Sequence, residues 1–209
     1  TQASIGSDTT KPTVSFTPEL SGVTNASPLR VTVQFSEAVT GLDLSDLSIT
    51  NGSASDLTGS GSSYSFDLTP AADGEVVVSL VGDAVADGAS NTNNSADYHI
   101  QSDRTAPGTP SVSSPAATTL TNASSISITG SLAAAEDTLV RVYRESDGSV
   151  AGEQLLLGGL TEFSISVELT ANSSDRFLVT ASDAVGNESE SVATAVVTQD
   201  SHAPVTTLA

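Results

Sequence analysis

Apolar and polar residues alternate along most of this 209-residue chain, always in short runs. Leu29-Arg30-Val31-Thr32-Val33-Gln34-Phe35 is the clearest, with every second residue apolar. A strand sends successive side chains to opposite faces, so this period marks a strand with one buried face. The first half predicts further strands at 13–16, 47–50, 64–68, 76–80 and 97–100. Asn51-Gly52, Gly59-Ser60-Gly61 and Asp73-Gly74 lie between them and predict turns, because these residues tolerate left-handed backbone. The second half repeats the plan, with strands at 125–129, 138–143, 154–157, 162–167, 176–181 and 192–197. Asp147-Gly148 and Gly158-Gly159 supply its turns. Nowhere does the 3.6-residue spacing of a helical face emerge. So many short strands in each half predict an all-β chain of two tandem immunoglobulin-like β-sandwich domains, each with about seven antiparallel strands. The disulfide and core Trp of antibody domains are absent.

A repeated marker divides the chain. Asp8-Thr9-Thr10-Lys11-Pro12 returns as Asp103-Arg104-Thr105-Ala106-Pro107 and again as Asp200-Ser201-His202-Ala203-Pro204, at intervals of 95 and 97 residues. A period of that length is one whole domain. The expected division is the tail of a preceding repeat or a linker at 1–11, immunoglobulin-like domains at 12–102 and 103–199, and a linker with the opening of a further repeat at 200–209. The chain thus reads as an excerpt from a tandem array, whose first partners are its neighbouring repeats.

Composition narrows the functions. The net charge is −19, shared as −10 over residues 1–102 and −9 over 103–209. With no basic patch, nucleic acid and anionic membranes are poor partners. No apolar run reaches the 18–20 residues of a membrane span, so membrane insertion is not expected. Self-repulsion favours a soluble monomer and attracts cations. Cys, Met and Trp are absent, which removes disulfides and thiolate sites. His99 and His202 stand apart from any nucleophile motif, and neither His-Glu-x-x-His nor Gly-x-Ser-x-Gly occurs, so the chain is not expected to be an enzyme. Six Asn-x-Ser sequons, at Asn25, Asn51, Asn93, Asn122, Asn172 and Asn187, are expected by chance in so Ser-rich a chain.

Acids and amides gather at the end of each repeat: Asp87, Asn91, Asn93, Asp97 and Asp103 in the first, Asp183, Asn187, Glu188, Glu190 and Asp200 in the second. Such like charges repel unless a cation intervenes, and hard oxygen donors suit Ca²⁺. Inter-strand loops add candidates, Glu37 in the first repeat and Glu136 or Asp137 in the second. The turn and joint aspartates are 16 and 17 residues apart, which leaves two arrangements open: one shared pole, or separation by a strand's length. Asp43, Asp46 and Asp56 read better as exposed charges that deter aggregation.

Several segments carry a family resemblance. Phe35-Ser36-Glu37-Ala38-Val39-Thr40-Gly41, Leu44-Ser45-Asp46-Leu47-Ser48-Ile49-Thr50-Asn51-Gly52 and Thr69-Pro70-Ala71-Ala72-Asp73-Gly74 closely resemble bacterial Ig-like repeats of giant calcium-dependent surface adhesins, of the RTX-adhesin extender type. Leu178-Val179-Thr180-Ala181-Ser182-Asp183-Ala184-Val185-Gly186-Asn187 resembles a sister class. The family's Asp-Ala-Ala-Gly-Asn turn departs here to Asp87-Gly88-Ala89-Ser90-Asn91, with the glycine displaced, and the third joint has Ser201-His202 where Thr is common. The resemblance implies extender repeats of a secreted or surface adhesin, on a Gram-negative outer surface, with Ca²⁺ shared at the joints. It implies ligands among Asp8, Glu37, Asp87, Asn91, Asp103, Glu136, Asp137, Asp183, Asn187 and Asp200, and favours the turn and joint aspartates sharing a site. A carbohydrate- or protein-binding module and a spacer in a secreted hydrolase are the alternatives; scarce aromatics weigh against the module.

Overall fold

The computed structural model describes residues 7–18, 22–133 and 136–203. It divides into two compact units, Thr1–Arg104 and Thr105–Ala209. Both are all-β, with a single 3-10 turn, Leu44–Asp46, among the described residues. No helix among them is long and apolar enough to cross a membrane.

Among the described residues the first unit has seven strands: β1 (Val14–Thr17), β2 (Val23–Thr24), β3 (Leu29–Val39), β4 (Leu47–Thr50), β5 (Gly52–Pro70), β6 (Gly74–Leu80) and β7 (Ala96–Ser102). They form two sheets, β1-β3-β5 and β2-β7-β6-β4. Alternation sends Val31, Val33, Phe35 and Phe66 from one sheet against Val76, Val78, Leu80 and Ile100 of the other, in one buried core. Each such side chain gains about 1.5–3 kcal/mol from leaving water, which is what closes the sandwich. Two expectations change. The pairing is not wholly antiparallel: the chain breaks at Pro18, which has no N–H to donate, and β2 crosses to pair parallel with β7. Gly59-Ser60-Gly61 does not reverse the chain but lies inside β5. Gly59 takes φ 118° there, and a Cβ on it would meet the Ser63 carbonyl at 2.4 Å, so only glycine fits. The ladder is bulged opposite, passing from Gln34↔Ser63 directly to Val39↔Gly61.

The second unit uses the same scheme in more pieces: β8 (Ser111–Ser114), β9 (Thr119–Thr121), β10 (Ser125–Ser131), β11 (Thr138–Arg144), β12 (Val150–Leu156), β13 (Glu162–Glu168), β14 (Ser174–Asp175), β15 (Phe177–Ser182), β16 (Val192–Ala193) and β17 (Val197–Gln199). Its sheets run β13-β10-β8, β12-β11-β15-β16 and β14-β17-β9. The strand expected at 192–197 is broken. Buried Thr194 bonds both backbone groups of Phe177, its N–H to the carbonyl and its Oγ1 to the amide. The chain then leaves β15 and joins β14 and β9, the latter in parallel. Arg144 lies under the core edge, paired with Asp175 and 5.3 Å from the Phe177 ring centroid.

Candidate metal centre

The first unit builds its centre on a tight turn. One oxygen of Asp87, Oδ1, accepts from the amides of Ala89 and Asn91, each at 2.8 Å. The other, Oδ2, accepts from the side-chain amide of Asn91 at 2.8 Å. The Asp87 amide closes the loop onto the Asn91 carbonyl at 3.0 Å. Ser90 completes it in the left-handed region, φ 71°, where glycine is usual. The displaced glycine therefore leaves the turn intact. The Asn91 amide also reaches the main-chain carbonyl of Asp8 at 3.2 Å, drawing in the leading segment.

Glu37 arrives from the bulged end of β3, where ladder alternation no longer sets side-chain direction. Asp8, Glu37 and Asp87 each place a carboxylate oxygen within 4.8 Å of the other two. Partial burial is the chief cause that raises Glu37 above its usual range, and Asp87 and Asp8 add to it. The Asn91 side-chain amide holds Asp87 below its range; burial opposes this, and the amides of Asn91 and Ala89 support it. Three carboxylates so close need a shared proton or a cation.

A hard cation fits this donor set. Asp87 Oδ1 already takes two hydrogen bonds and Oδ2 one, so Oδ2 keeps a free lone pair. Glu37 and Asp8 add oxygens that are not committed to the turn. The Asp8 carbonyl lies beside them, and water can fill the six to eight oxygen positions around Ca²⁺.

The second unit repeats the turn. Asp183 Oδ1 accepts from Val185 and Asn187 amides at 3.0 and 2.9 Å, and Oδ2 from the Asn187 side chain at 2.7 Å. Gly186 supplies the left-handed residue at φ 90°. A carboxylate oxygen of Glu136 lies within 4.8 Å of one from Asp183. Asp137 stands apart, accepting from the Gly158 amide at 2.8 Å and so fastening the next turn.

The remaining candidates fall elsewhere. Asp87 groups with Asp8, from the segment ahead of β1, and not with Asp103, from the segment after β7. The reason is β7: seven extended residues, roughly 24 Å, separate the start of that strand from Asp103. Asp103 instead fixes its amide to the Thr24 carbonyl at 2.9 Å, and Asp200 repeats this bond on Thr121. The Asp200 carboxylate faces His202 at 3.3 Å. Asn93 is a buried rivet: it bonds the Val85 amide and the Val81 carbonyl. Ser189 has the same place in the second unit, holding the Ala181 amide. Glu188 turns to Thr180 and Tyr143, and Asp97 is exposed on β7. No spacing signal marks Asn93 as structural; only its burial does. His99 lies 3.0 Å from Glu75 on an exposed face.

Residues 8–102 match the family model described as bacterial Ig-like domain. No curated protein sequence matches the chain. Among solved structures, the chain is similar to the fibronectin(III)-like modules of Clostridium thermocellum CbhA, at 13% identity and a TM-score of 0.50, covering 95% of this chain and 99% of that one. That likeness shows the fold. Weaker likenesses join it to the BSP domain of a biofilm associated protein (15% identity, 93% and 30% coverage, TM-score 0.31). The N-terminal part of the bacterial S-layer protein SbsC is matched at 16% identity, with 90% and 44% coverage and a TM-score of 0.35.

Proposed function

We propose that the two units are extender repeats of a long extracellular bacterial adhesin, and that Ca²⁺ stiffens their joints. The observation that carries this reading is recurrence: both units build the same aspartate-asparagine turn and set a glutamate against it. The bacterial Ig-like match of residues 8–102 supports a repeat module. The first unit takes its third carboxylate from the segment leading into it, Asp8. The sequence counterpart of Asp8 is Asp103. We assign Asp103 to complete the second centre, with Glu136 and Asp183.

The mechanism is mechanical. The amide of Asp103 is tied to Thr24 in the first unit. A cation gripping its carboxylate together with the second unit's acids removes hinge freedom that the linker would otherwise have. Pro107 adds to this by fixing φ and holding its predecessor extended. When bound, Ca²⁺ supplies the positive charge that lets the three carboxylates stay ionised at close range. A row of such joints projects a distal domain away from a cell surface.

Small-angle scattering of the chain in Ca²⁺ and in EDTA tests this. The expected outcome is a longer, narrower distance distribution with Ca²⁺, and an Asp103→Ala chain that scatters alike in both. Identical profiles for the unaltered chain would reject the stiffening.

A further inference from the structure

The outer faces of the two units differ, and the second bears a surface that the function above leaves unused. In the first unit the outward cross-strand rows of β4, β6 and β7 are Ser48-Ser79-Asp97 and Thr50-Val77-His99. They are largely polar, as a solvated face should be. In the second unit β11 and β12 carry the rows Leu139↔Leu155, Arg141↔Glu153 and Tyr143↔Val150, which β15 extends on the other side of β11 with Ser182, Thr180 and Leu178. These side chains point outward, since Val140 and Val142 between them fill the core. Leu155 and Val150 are each 54% exposed, on an edge strand that among the described residues pairs only with β11. An apolar patch on so acidic a chain marks an interaction surface.

From the register of these rows we propose that this face binds a second copy of the chain. Between β11 and β12 each row is either apolar with apolar or one positive with one negative charge. A two-fold axis running along the strands, between β11 and β12, exchanges the members of each row. It sets Leu139 over Leu155 of the second copy and Tyr143 over its Val150. Arg141, which pairs with Glu153 at 3.2 Å within one chain, meets Glu153 of the other. Like an isologous interface, the face is its own complement. Arg141 and Glu153 balance each other between β11 and β12, while Glu188, bonded to Tyr143 and Thr180, adds one negative charge on the β15 side, away from the axis. Rotation about the strand direction keeps strands aligned, as packed sheets require, and points both chains the same way.

Size sets the strength. Strands β11, β12 and β15 give a face of roughly 14 Å by 24 Å, well below the half-interface of about 800 Å² in a stable complex. Association is therefore weak, with a Kd on the order of 0.1–1 mM, and is multiplied where many repeats run side by side.

Sedimentation equilibrium of the whole chain, from about 10 μM to 1 mM, is the test. A monomer–dimer equilibrium in that range is expected, equal in EDTA and in Ca²⁺, so the result does not depend on the metal reading. Glu153→Arg should weaken it at least tenfold by setting arginine against arginine, and Leu155→Lys should abolish it. Adding Arg141→Glu to Glu153→Arg swaps the charges and should restore the original Kd. Unchanged melting temperatures verify that these exposed substitutions leave the fold intact. A chain that stays monomeric throughout overturns the proposal, as does association that survives Glu153→Arg or that the charge swap fails to rescue.

Discussion

The turns at 87–91 and 183–187 give the same three donors to an aspartate, yet reach that geometry from different residues. Gly186 enters the left-handed region freely, whereas Ser90 enters it against a cost of roughly 1–2 kcal/mol. The shape is therefore imposed by the carboxylate and the asparagine, and glycine merely eases it. The units differ too in how an arginine braces each sandwich. Arg30 lies on the surface, with a side chain 45% exposed, bonding Asp67, Thr58 and Ser65. Arg144 is 18% exposed and holds Asp175, which is 5% exposed. Burial pushes the Asp175 carboxyl up, but the Thr170 amide and Arg144 outweigh it and hold it below its usual range.

The largest expected effect comes from that second contrast. Arg144→Ala should cost about 3–5 kcal/mol of stability, because a buried carboxylate loses its partner. Arg30→Ala should cost about 1 kcal/mol or less, as exposed pairs do. Urea denaturation of each single variant measures both, and equal losses would erase the distinction.

Calcium comes next. At free Ca²⁺ a hundredfold above Kd, binding to the folded state contributes about 2.7 kcal/mol. In a domain of this size that raises Tm by roughly 10–20 °C. Calorimetry should show the rise for the intact chain. Asp87→Ala should remove the first unit's share and Asp183→Ala the second's; a rise that persists in the double variant would place the ion elsewhere.

Backbone strain gives a smaller effect. Ser90→Gly should stabilise the first unit by up to about 1 kcal/mol, the relief of strain being partly offset by glycine's entropy. Gly186→Ala should destabilise the second by about 1 kcal/mol. The same sign in both would show that the turns are not equivalent.

The smallest effect is on pH dependence. Glu37 is raised in the folded state, so without a cation it favours folding while protonated, and that advantage is lost as pH rises through its raised range. Asp87 is lowered, so its contribution is present above the ordinary carboxylate range and lost as pH falls. In EDTA, Glu37→Gln should flatten the decline in stability as pH rises through and above the ordinary carboxylate range. Thermal melts across that range measure it, and a Glu37→Gln profile that matches the unaltered chain would show no repulsion at the site.

Strand existence was legible because alternation is local: each row of β3, β6 and β13 reads directly from neighbouring residues. Strand breaks were not, since Thr194 interrupts its strand by bonding Phe177, seventeen residues away. The acids at the centre were legible by recurrence, but their grouping was not. Asp87 meets Asp8 across 79 positions, while Asp103, only 16 away, is carried off by β7. Asn93 and Asp137 share the residue types of a ligand and serve as rivets, because an oxygen already bonded to main chain holds a loop as readily as it holds an ion.

On the proposed reading, a divalent cation joins the leading aspartate to the turn aspartate and the glutamate of each unit. A crystal grown in abundant Ca²⁺, with anomalous data, tests it directly. The expected result is a peak within 2.3–2.6 Å of oxygens from Asp8, Glu37 and Asp87, with six to eight ligands in all. A second peak should stand at Asp103, Glu136 and Asp183. Water alone at both places, with the carboxylates turned apart, would contradict it.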